Sequence, residues 1–232
     1  MNPILATSLL GGVLALDNRG SLKLMISQPL CGGLLTGIVL GAPAEGFFVG
    51  VVLQVMFLGH VSMRGESRPD TPLGSVFAAA LYILINRDCG WNPTVSGLIL
   101  FCSLFLAIVV SAIGQIAYRW WESRSWYFTD LAMRYVSEGK SSRASALHLS
   151  TLLFHFLYAF IVMLVVLPSG QIVVRFVVSR TSGDFSGSFN PLYVLVPFIG
   201  AGSLIRLNLV KSRVFWFVAG FLVSYVFLLV RG

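Results

Sequence analysis

The chain has 232 residues, of which 56% are hydrophobic and 11% are charged, and its formal net charge is +7. Soluble domains carry about 25% charged residues, so this chain has too little charge to cover a water-facing surface. The composition excludes a soluble globular protein and predicts an all-α integral membrane protein. The sixteen Lys and Arg residues are spread over the connections between apolar runs, without a basic stripe of interleaved aromatics, so no nucleic-acid partner is expected.

Eight apolar runs follow one another along the chain, and a full transmembrane helix needs about 20 residues. The first, fourth and seventh runs are shorter than that, and short runs bounded by Gly and Pro are tolerated in a membrane where protein or a cavity surrounds them. We therefore expect a polytopic membrane protein with five or six full-length transmembrane helices plus two or three short re-entrant or broken ones. The runs are approximately 4–16, 22–40, 44–62, 73–86, 94–118, 147–167, 192–205 and 214–230.

The second and third runs form the most informative stretch. Each is near the length that crosses a bilayer, each contains several glycines, and a Gly-Pro-Gly turn over residues 41–46 joins them. In a membrane this pattern is typical of interrupted helices that line a solute site. The residues predicted to break these helices or to let them pack closely are Gly37, Gly41, Pro43 and Gly46.

Each of these two runs carries a lone glutamine. Gln28 stands directly before Pro29 at the start of one run, and Gln54 has no other polar side chain from Phe47 to Phe57. A glutamine in an apolar setting must find hydrogen-bond partners, because its desolvation is otherwise costly. Gln28 and Gln54 are therefore predicted either to bind a solute or to join neighbouring helices.

Two carboxylates, Asp17 and Asp70, border apolar runs near membrane depth. Burying such a charge costs about 2.5–3.5 kcal/mol on insertion scales, so each is expected to have a specific partner or function. Asp17 is followed by basic residues and is predicted to lie in a surface cluster, unless the short first run is re-entrant. The segment Pro69 to Pro72 breaks any preceding helix and can start another, so Asp70 or Thr71 is a candidate cap for the run 73–86. Asp70 also suits hydrogen bonding to a sugar, and the alternative is a plain cap at a wet loop.

Residues 119–146 form the largest hydrophilic island, with five basic residues, three acidic residues and three tryptophans. Its aromatic side chains recur at helical spacing, which predicts a cytoplasmic amphipathic connection at the membrane surface, the alternative being a solvated linker. The chain then divides into an N-terminal transmembrane block with Gly/Pro-broken helices (1–118), this connection (119–146) and a C-terminal transmembrane block (147–232). A Ser- and Gly-rich loop over 168–191 is expected on the outer side.

No motif for nucleotide hydrolysis or acyl transfer is present, and no cofactor is expected. His148 and His155 are seven residues apart on one predicted helix face, but no carboxylate accompanies them there. Two histidines alone are a weak signal for a metal, so no metal site is expected.

The chain resembles the IIC membrane component of the mannose/sorbose-type phosphotransferase system. No single motif is specific, but their order and spacing match over about residues 8–85, and beyond that the similarity is one of hydropathy and length. The motifs that carry the resemblance are Gly11-Gly12-Val13-Leu14-Ala15-Leu16-Asp17, Met25-Ile26-Ser27-Gln28-Pro29-Leu30, Leu35-Thr36-Gly37-Ile38-Val39-Leu40-Gly41, Gly46-Phe47-Phe48-Val49-Gly50, Leu53-Gln54-Val55-Met56-Phe57-Leu58-Gly59 and Pro69-Asp70.

This resemblance implies a multi-pass sugar permease subunit in the bacterial inner membrane, a lipid-embedded part of an oligomeric complex. It implies a IID membrane subunit and cytosolic IIA and IIB proteins as partners, with phosphate passing to the sugar from IIB. The chain itself would be a transport subunit with no phosphorylation site of its own. Its substrate-binding residues are then predicted to be Gln28, Gln54 and Asp70.

The chain departs from the family pattern at three points. Gln28 stands where the family usually has Arg, Gln54 where it usually has Glu, and Ala42 where the turn usually has Asp. The Arg and Glu would carry opposite charges that could pair, so the two amides could replace them as a unit. The rival interpretations are a non-transporting regulatory or vestigial subunit, a membrane scaffold, a solute-binding subunit of another transporter class, and a membrane enzyme acting on lipids.

Overall fold

A computed structural model describes residues 2–19, 24–57 and 69–181. These residues form α-helices without any strand, which confirms the all-α prediction for the described part of the chain. The predicted runs 192–205 and 214–230 lie outside the described residues. The helices are α1 (Pro3–Arg19), α2 (Pro29–Leu40), α3 (Pro43–Phe57), α4 (Thr71–Asp88), α5 (Pro93–Ser137) and α6 (Ser141–Arg180).

The helices α2 and α3 are short and form a hairpin. Pro29 and Pro43 are their first residues, which suits proline because the first turn of a helix leaves its N–H groups unpaired. The helix α2 has 12 residues and is about 18 Å long, and the described part of α3 has 15 residues and is about 22 Å long, both below the roughly 30 Å of a hydrocarbon core. The near-bilayer length expected for the run 22–40 is wrong, because residues 24–28 form a turn before Pro29.

The central element of the bundle is α4, which packs against all five other described helices. Every residue from Pro72 to Asn86 is buried. A helix that is apolar all round belongs in the middle of a helical assembly, where each face meets a neighbour. The short run 73–86 therefore forms a buried core helix.

The two longest helices, α5 and α6, form an antiparallel hairpin that turns at residues 138–140. They are the two helices in the described part of the chain that are long and apolar enough to cross a membrane. At 45 and 40 residues they are about 67 and 60 Å long, more than the roughly 40–45 Å of a whole bilayer. The predicted boundaries at 118/119 and 146/147 both fall inside these helices, and the surface location of 119–146 stays a prediction.

The expected outer loop 168–191 is wrong over residues 168–180, because α6 continues through Pro168 to Arg180. Tertiary contacts hold this part of the helix against α4. Gly170 lies against the ring of Phe77, and the Arg175 guanidinium forms an ion pair of 2.6 Å with Asp88. Such packing outweighs the helix-breaking tendency of an internal proline.

Candidate functional site

The α2–α3 hairpin is closed by direct contact between the two backbones. A Cβ built on Gly33 would lie 2.5 Å from the Gly46 carbonyl oxygen, and one built on Gly46 would lie 2.5 Å from the Gly37 Cα. The connection turns through Gly41, whose φ of 73° is the left-handed conformation that favours glycine. The structure thus places Gly37 and Gly46 at the helix contact and Gly41 and Pro43 at the break, which makes α2 and α3 one compact unit.

Gln28 and Gln54 meet at the open end of this hairpin. The Nε2 of Gln54 donates to Oε1 of Gln28 over 3.3 Å, and the Oε1 of Gln54 accepts from the Leu30 backbone N–H over 3.3 Å. Gln28 is exposed and Gln54 is partly buried. The pair therefore joins the two helices and still presents amide groups at a surface. Joining helices and binding a solute, the two roles that the sequence left open, are thus compatible with each other.

Asp70 is the N-cap residue of α4, as the sequence suggested for this position. Its carboxylate accepts from the Leu73 backbone N–H over 3.4 Å, and its own backbone N–H donates to the Ser111 carbonyl oxygen of α5 over 3.1 Å. Asp70 is 2% exposed, and Pro69 precedes it outside the helix. An anionic cap is favourable here because the N-terminus of a helix carries partial positive charge.

Gln28, Gln54 and Asp70 lie at the same end of the bundle, because α2 and α4 run parallel. Gly32 packs against the Ser75 side chain, and the Arg87 guanidinium donates to the Leu40 carbonyl oxygen at the other end of both helices. Gln28 is about 6 Å along the axis before Gly32, and Asp70 is about 7.5 Å before Ser75. The tertiary structure therefore brings the three predicted site residues to one end, although they are spread over 43 positions of sequence.

Asp17 belongs to this same end, which corrects its predicted place in a surface cluster. It is 2% exposed, and its two carboxylate oxygens accept from the backbone N–H groups of Leu24 (2.5 Å) and Ser27 (2.9 Å). The carboxylate points into the bundle because the segment before α2 offers it backbone N–H donors. A carboxylate at the end of a short apolar run, ten residues before a Ser-Gln-Pro helix start, is the signal that could have indicated this role.

His148 and His155 lie beyond this end, in the part of the α5–α6 hairpin that projects from the bundle. His148 and His155 line a cavity of about 290 Å³, together with Glu122 and aromatic side chains. Among the described residues no group of three or more His, Cys, Asp or Glu side chains is arranged to hold a metal ion. Trp121 stacks on Phe154 at 3.5 Å between ring centroids, which fastens the two helices of this hairpin to each other.

Most of the apolar surface of α6 is left without a partner in the described part of the chain. Only 17% of the 18 consecutive residues that form its most apolar stretch are buried. Together with the short paired helices and the polar end beside them, this defines an α-helical membrane protein built around a broken-helix hairpin. Helices of this kind are the usual setting of solute sites in membrane transporters.

The family follows from comparison with known proteins. The family model described as "PTS system sorbose-specific iic component" matches residues 3–230, so the chain belongs to this family. A curated relative, the sorbose-specific EIIC component of the phosphotransferase system from Lacticaseibacillus casei, is 27% identical over 89 residues, which is 38% of this chain. The matched region spans 28% of that relative's own length.

Two solved structures share the fold. One, described as a membrane protein, has a TM-score of 0.72 and 20% sequence identity. The other is the cryo-EM structure of the mannose transporter ManYZ with microcin E492, with a TM-score of 0.61 and 19% identity. Each match covers 96% of this chain and 86% of the other. These similarities extend the resemblance from about residues 8–85 to nearly the whole chain.

Proposed function

We propose that this chain is the sugar-translocating IIC subunit of a phosphoenolpyruvate-dependent phosphotransferase system, multi-pass in the bacterial inner membrane. Its substrate is a hexose-type sugar, and sorbose and mannose, which appear in the names of its relatives, are the first sugars to test. The single observation that carries this proposal is that Gln28, Gln54 and Asp70 lie at one end of the bundle in a member of this family.

The chemistry of this end suits a neutral sugar. Sugar hydroxyls both donate and accept hydrogen bonds, as amide side chains do, and a carboxylate accepts two or more of them. Gln28 and Gln54 are open to a solute in the present conformation, whereas Asp70 is buried and capped onto α4. Asp70 would join the sugar when the N-terminus of α4 and the hairpin move relative to each other.

The partners follow from the proposed role. The chain has no phosphorylation site of its own in this proposal, so the phosphate reaches the sugar from a cytosolic IIB protein supplied by IIA. A IID membrane subunit completes the permease, and the assembly is an oligomer. The apolar face of α6 that no described residue covers is available to lipid or to such a subunit.

The test is phosphoenolpyruvate-dependent uptake of labelled sorbose and mannose in cells that lack their own mannose-type system. The chain is co-expressed with its neighbouring IIA, IIB and IID genes. Asp70→Asn and Asp70→Ser are the decisive variants, because Asn and Ser cap a helix about as well as Asp but lack its charge. Gln54→Ala tests the amide pair.

We expect the wild-type complex to take up at least one of the two sugars, and both Asp70 variants to lose uptake at unchanged membrane abundance. Uptake retained in Asp70→Asn and Asp70→Ser would show that Asp70 is only a helix cap and would remove it from the site. A wild-type complex that assembles with IID but takes up neither sugar would contradict the proposed function.

A further inference from the structure

Asp70 rests against one turn of α5, which determines where its side chain can lie. Its backbone N–H donates to the Ser111 carbonyl oxygen over 3.1 Å. A Cβ built on Gly114 would lie 2.7 Å from the Asp70 Cβ and 3.3 Å from its Cγ. The side chain of Asp70 therefore occupies the space that any residue other than glycine would fill at position 114.

This turn of α5 is in turn attached to α6 by a tyrosine. The Tyr158 hydroxyl donates to the Gly114 carbonyl oxygen over 3.0 Å, between residues 44 positions apart. Gly114 is the last fully buried residue of α5, so the contact lies where the long hairpin leaves the bundle. Tyr158 itself is partly buried and packs against the hydrophobic core.

The Tyr158 bond is not needed to satisfy the backbone. A carbonyl within a regular α-helix already accepts from the N–H four residues on, so the Gly114 oxygen would have a partner without Tyr158. The hydroxyl uses the second lone pair of this oxygen and restrains the turn of α5 whose Ser111 and Gly114 contact Asp70. A side chain that served packing alone would not require the hydroxyl.

We propose that Gly114 and Tyr158 are positioning residues for the Asp70 carboxylate. Gly114 provides the space, and Tyr158 holds the carbonyl of that same residue, so that the α5–α6 hairpin sets the place of Asp70 at the polar end. The transport consequence rests on the proposed function, in which Asp70 contacts the sugar. The structural consequence does not depend on it.

Tyr158→Phe is the central variant, since it removes only the hydroxyl. Tyr127→Phe is its matched control, because Tyr127 lies on the same hairpin with 71% of its surface exposed. Two measurements are made on the co-expressed membrane complex: the KM and maximal rate of sorbose or mannose uptake, and amide hydrogen exchange in the peptide covering residues 69–77. Gly114→Ala is measured alongside.

Tyr158→Phe should raise the KM by about threefold to tenfold, the range expected for one hydrogen bond, at an unchanged maximal rate per assembled complex. It should also speed exchange in the peptide 69–77, whereas Tyr127→Phe should change neither quantity. Gly114→Ala should raise the KM further, because its methyl group displaces Asp70. A merely structural role would lower the amount of complex without moving the KM.

Where Asp70→Asn loses uptake, an unchanged KM in Tyr158→Phe would overturn the proposal, and unchanged hydrogen exchange in the peptide 69–77 would overturn it in every case. If the wild-type complex takes up neither sugar, the proposed function fails and hydrogen exchange alone decides the positioning role. Faster exchange in Tyr158→Phe than in Tyr127→Phe would then support that role, and equal exchange in both would reject it.

Discussion

The Nε2 of Gln54 donates to Oε1 of Gln28 over 3.3 Å, between side chains 26 residues apart. This contact joins the last turn of α3 to the residue that precedes α2, and the Leu30 N–H adds a second bond to the same Gln54 amide. The resemblance to the family implies Glu and Arg at these two positions, whereas in this chain two neutral amides make the contact. At the open end of the hairpin the side-chain bond thus adds to the glycine backbone contacts, which run from the turn to Gly50 beside Pro29 and Leu30.

This contact predicts how stability should change when Gln54 and Gln28 are replaced by charged residues. Gln54→Glu alone loses the Nε2 donor to the exposed Gln28, while its carboxylate can still accept from the Leu30 N–H, so we expect a destabilisation of about 0.5–1.5 kcal/mol. Adding Gln28→Arg supplies a guanidinium that can bind this carboxylate through two parallel hydrogen bonds. The double variant should recover most of the lost thermal stability in detergent. A double variant no more stable than Gln54→Glu would show that the two side chains are not coupled.

Asp17 is expected to be a stabilising residue at the same end of the bundle. Asp17→Ala leaves the Leu24 and Ser27 N–H groups without their acceptor, which should cost on the order of 2–3 kcal/mol. Asp130→Ala is the control, because the Asp130 side chain is 78% exposed and its removal should change stability by less than about 0.5 kcal/mol. Thermal unfolding of the purified variants measures both, and equal unfolding temperatures would contradict this role for Asp17.

The glycines of the hairpin are expected to respond to substitution for two different reasons. Gly33→Ala places a methyl group into the Gly46 backbone and should prevent correct folding. Gly41→Ala meets no neighbour but forces a side chain into the left-handed region, at a cost of about 1–2 kcal/mol. Gly41→Asn should be milder still, since Asn adopts this conformation more readily.

Size-exclusion profiles of fluorescently tagged variants rank these effects by the fraction of monodisperse protein. The expected order of damage is Gly33→Ala, then Gly41→Ala, then Gly41→Asn. Gly33→Ala behaving like wild type would show that α2 and α3 can separate without loss of the fold.

The turn between α5 and α6 should be cytoplasmic, because the segment 119–146 around it carries five basic residues. The test starts from a variant in which Cys31, Cys89 and Cys102 are replaced by Ala. Ser137→Cys, exposed at this turn, should then react with a membrane-impermeant maleimide only in inside-out vesicles.

A variant that retains only Cys89 is the matched control for this topology. Cys89 lies in the turn between α4 and α5, at the other end of α5, so it should react only in right-side-out vesicles. Labelling of both cysteines from the same side would contradict a membrane crossing by α5, and the reverse pattern would contradict the cytoplasmic assignment.

Local chemistry was sufficient to predict much of the backbone. The low charge content predicts a membrane protein, and the glycine-proline break at residues 41–43 predicts two helices in place of one, although not that the first is as short as 12 residues. Asp70 before Thr71-Pro72 predicts a helix start with its cap. These features depend on the conformational preferences of a few adjacent residues, which are the same in any fold.

Only the tertiary structure decided which polar groups meet. Asp17 is buried because a turn seven to ten residues later offers it N–H donors. The family resemblance suggested that positions 28 and 54 pair, and the antiparallel packing of α2 and α3 brings Gln28 and Gln54 into that contact. Pro168 lies inside α6 because Gly170 and Arg175 pack and pair with α4, and Asp70 has room because position 114 is a glycine. Each of these depends on the free energy of contacts between distant segments, which residue spacing along the chain does not contain.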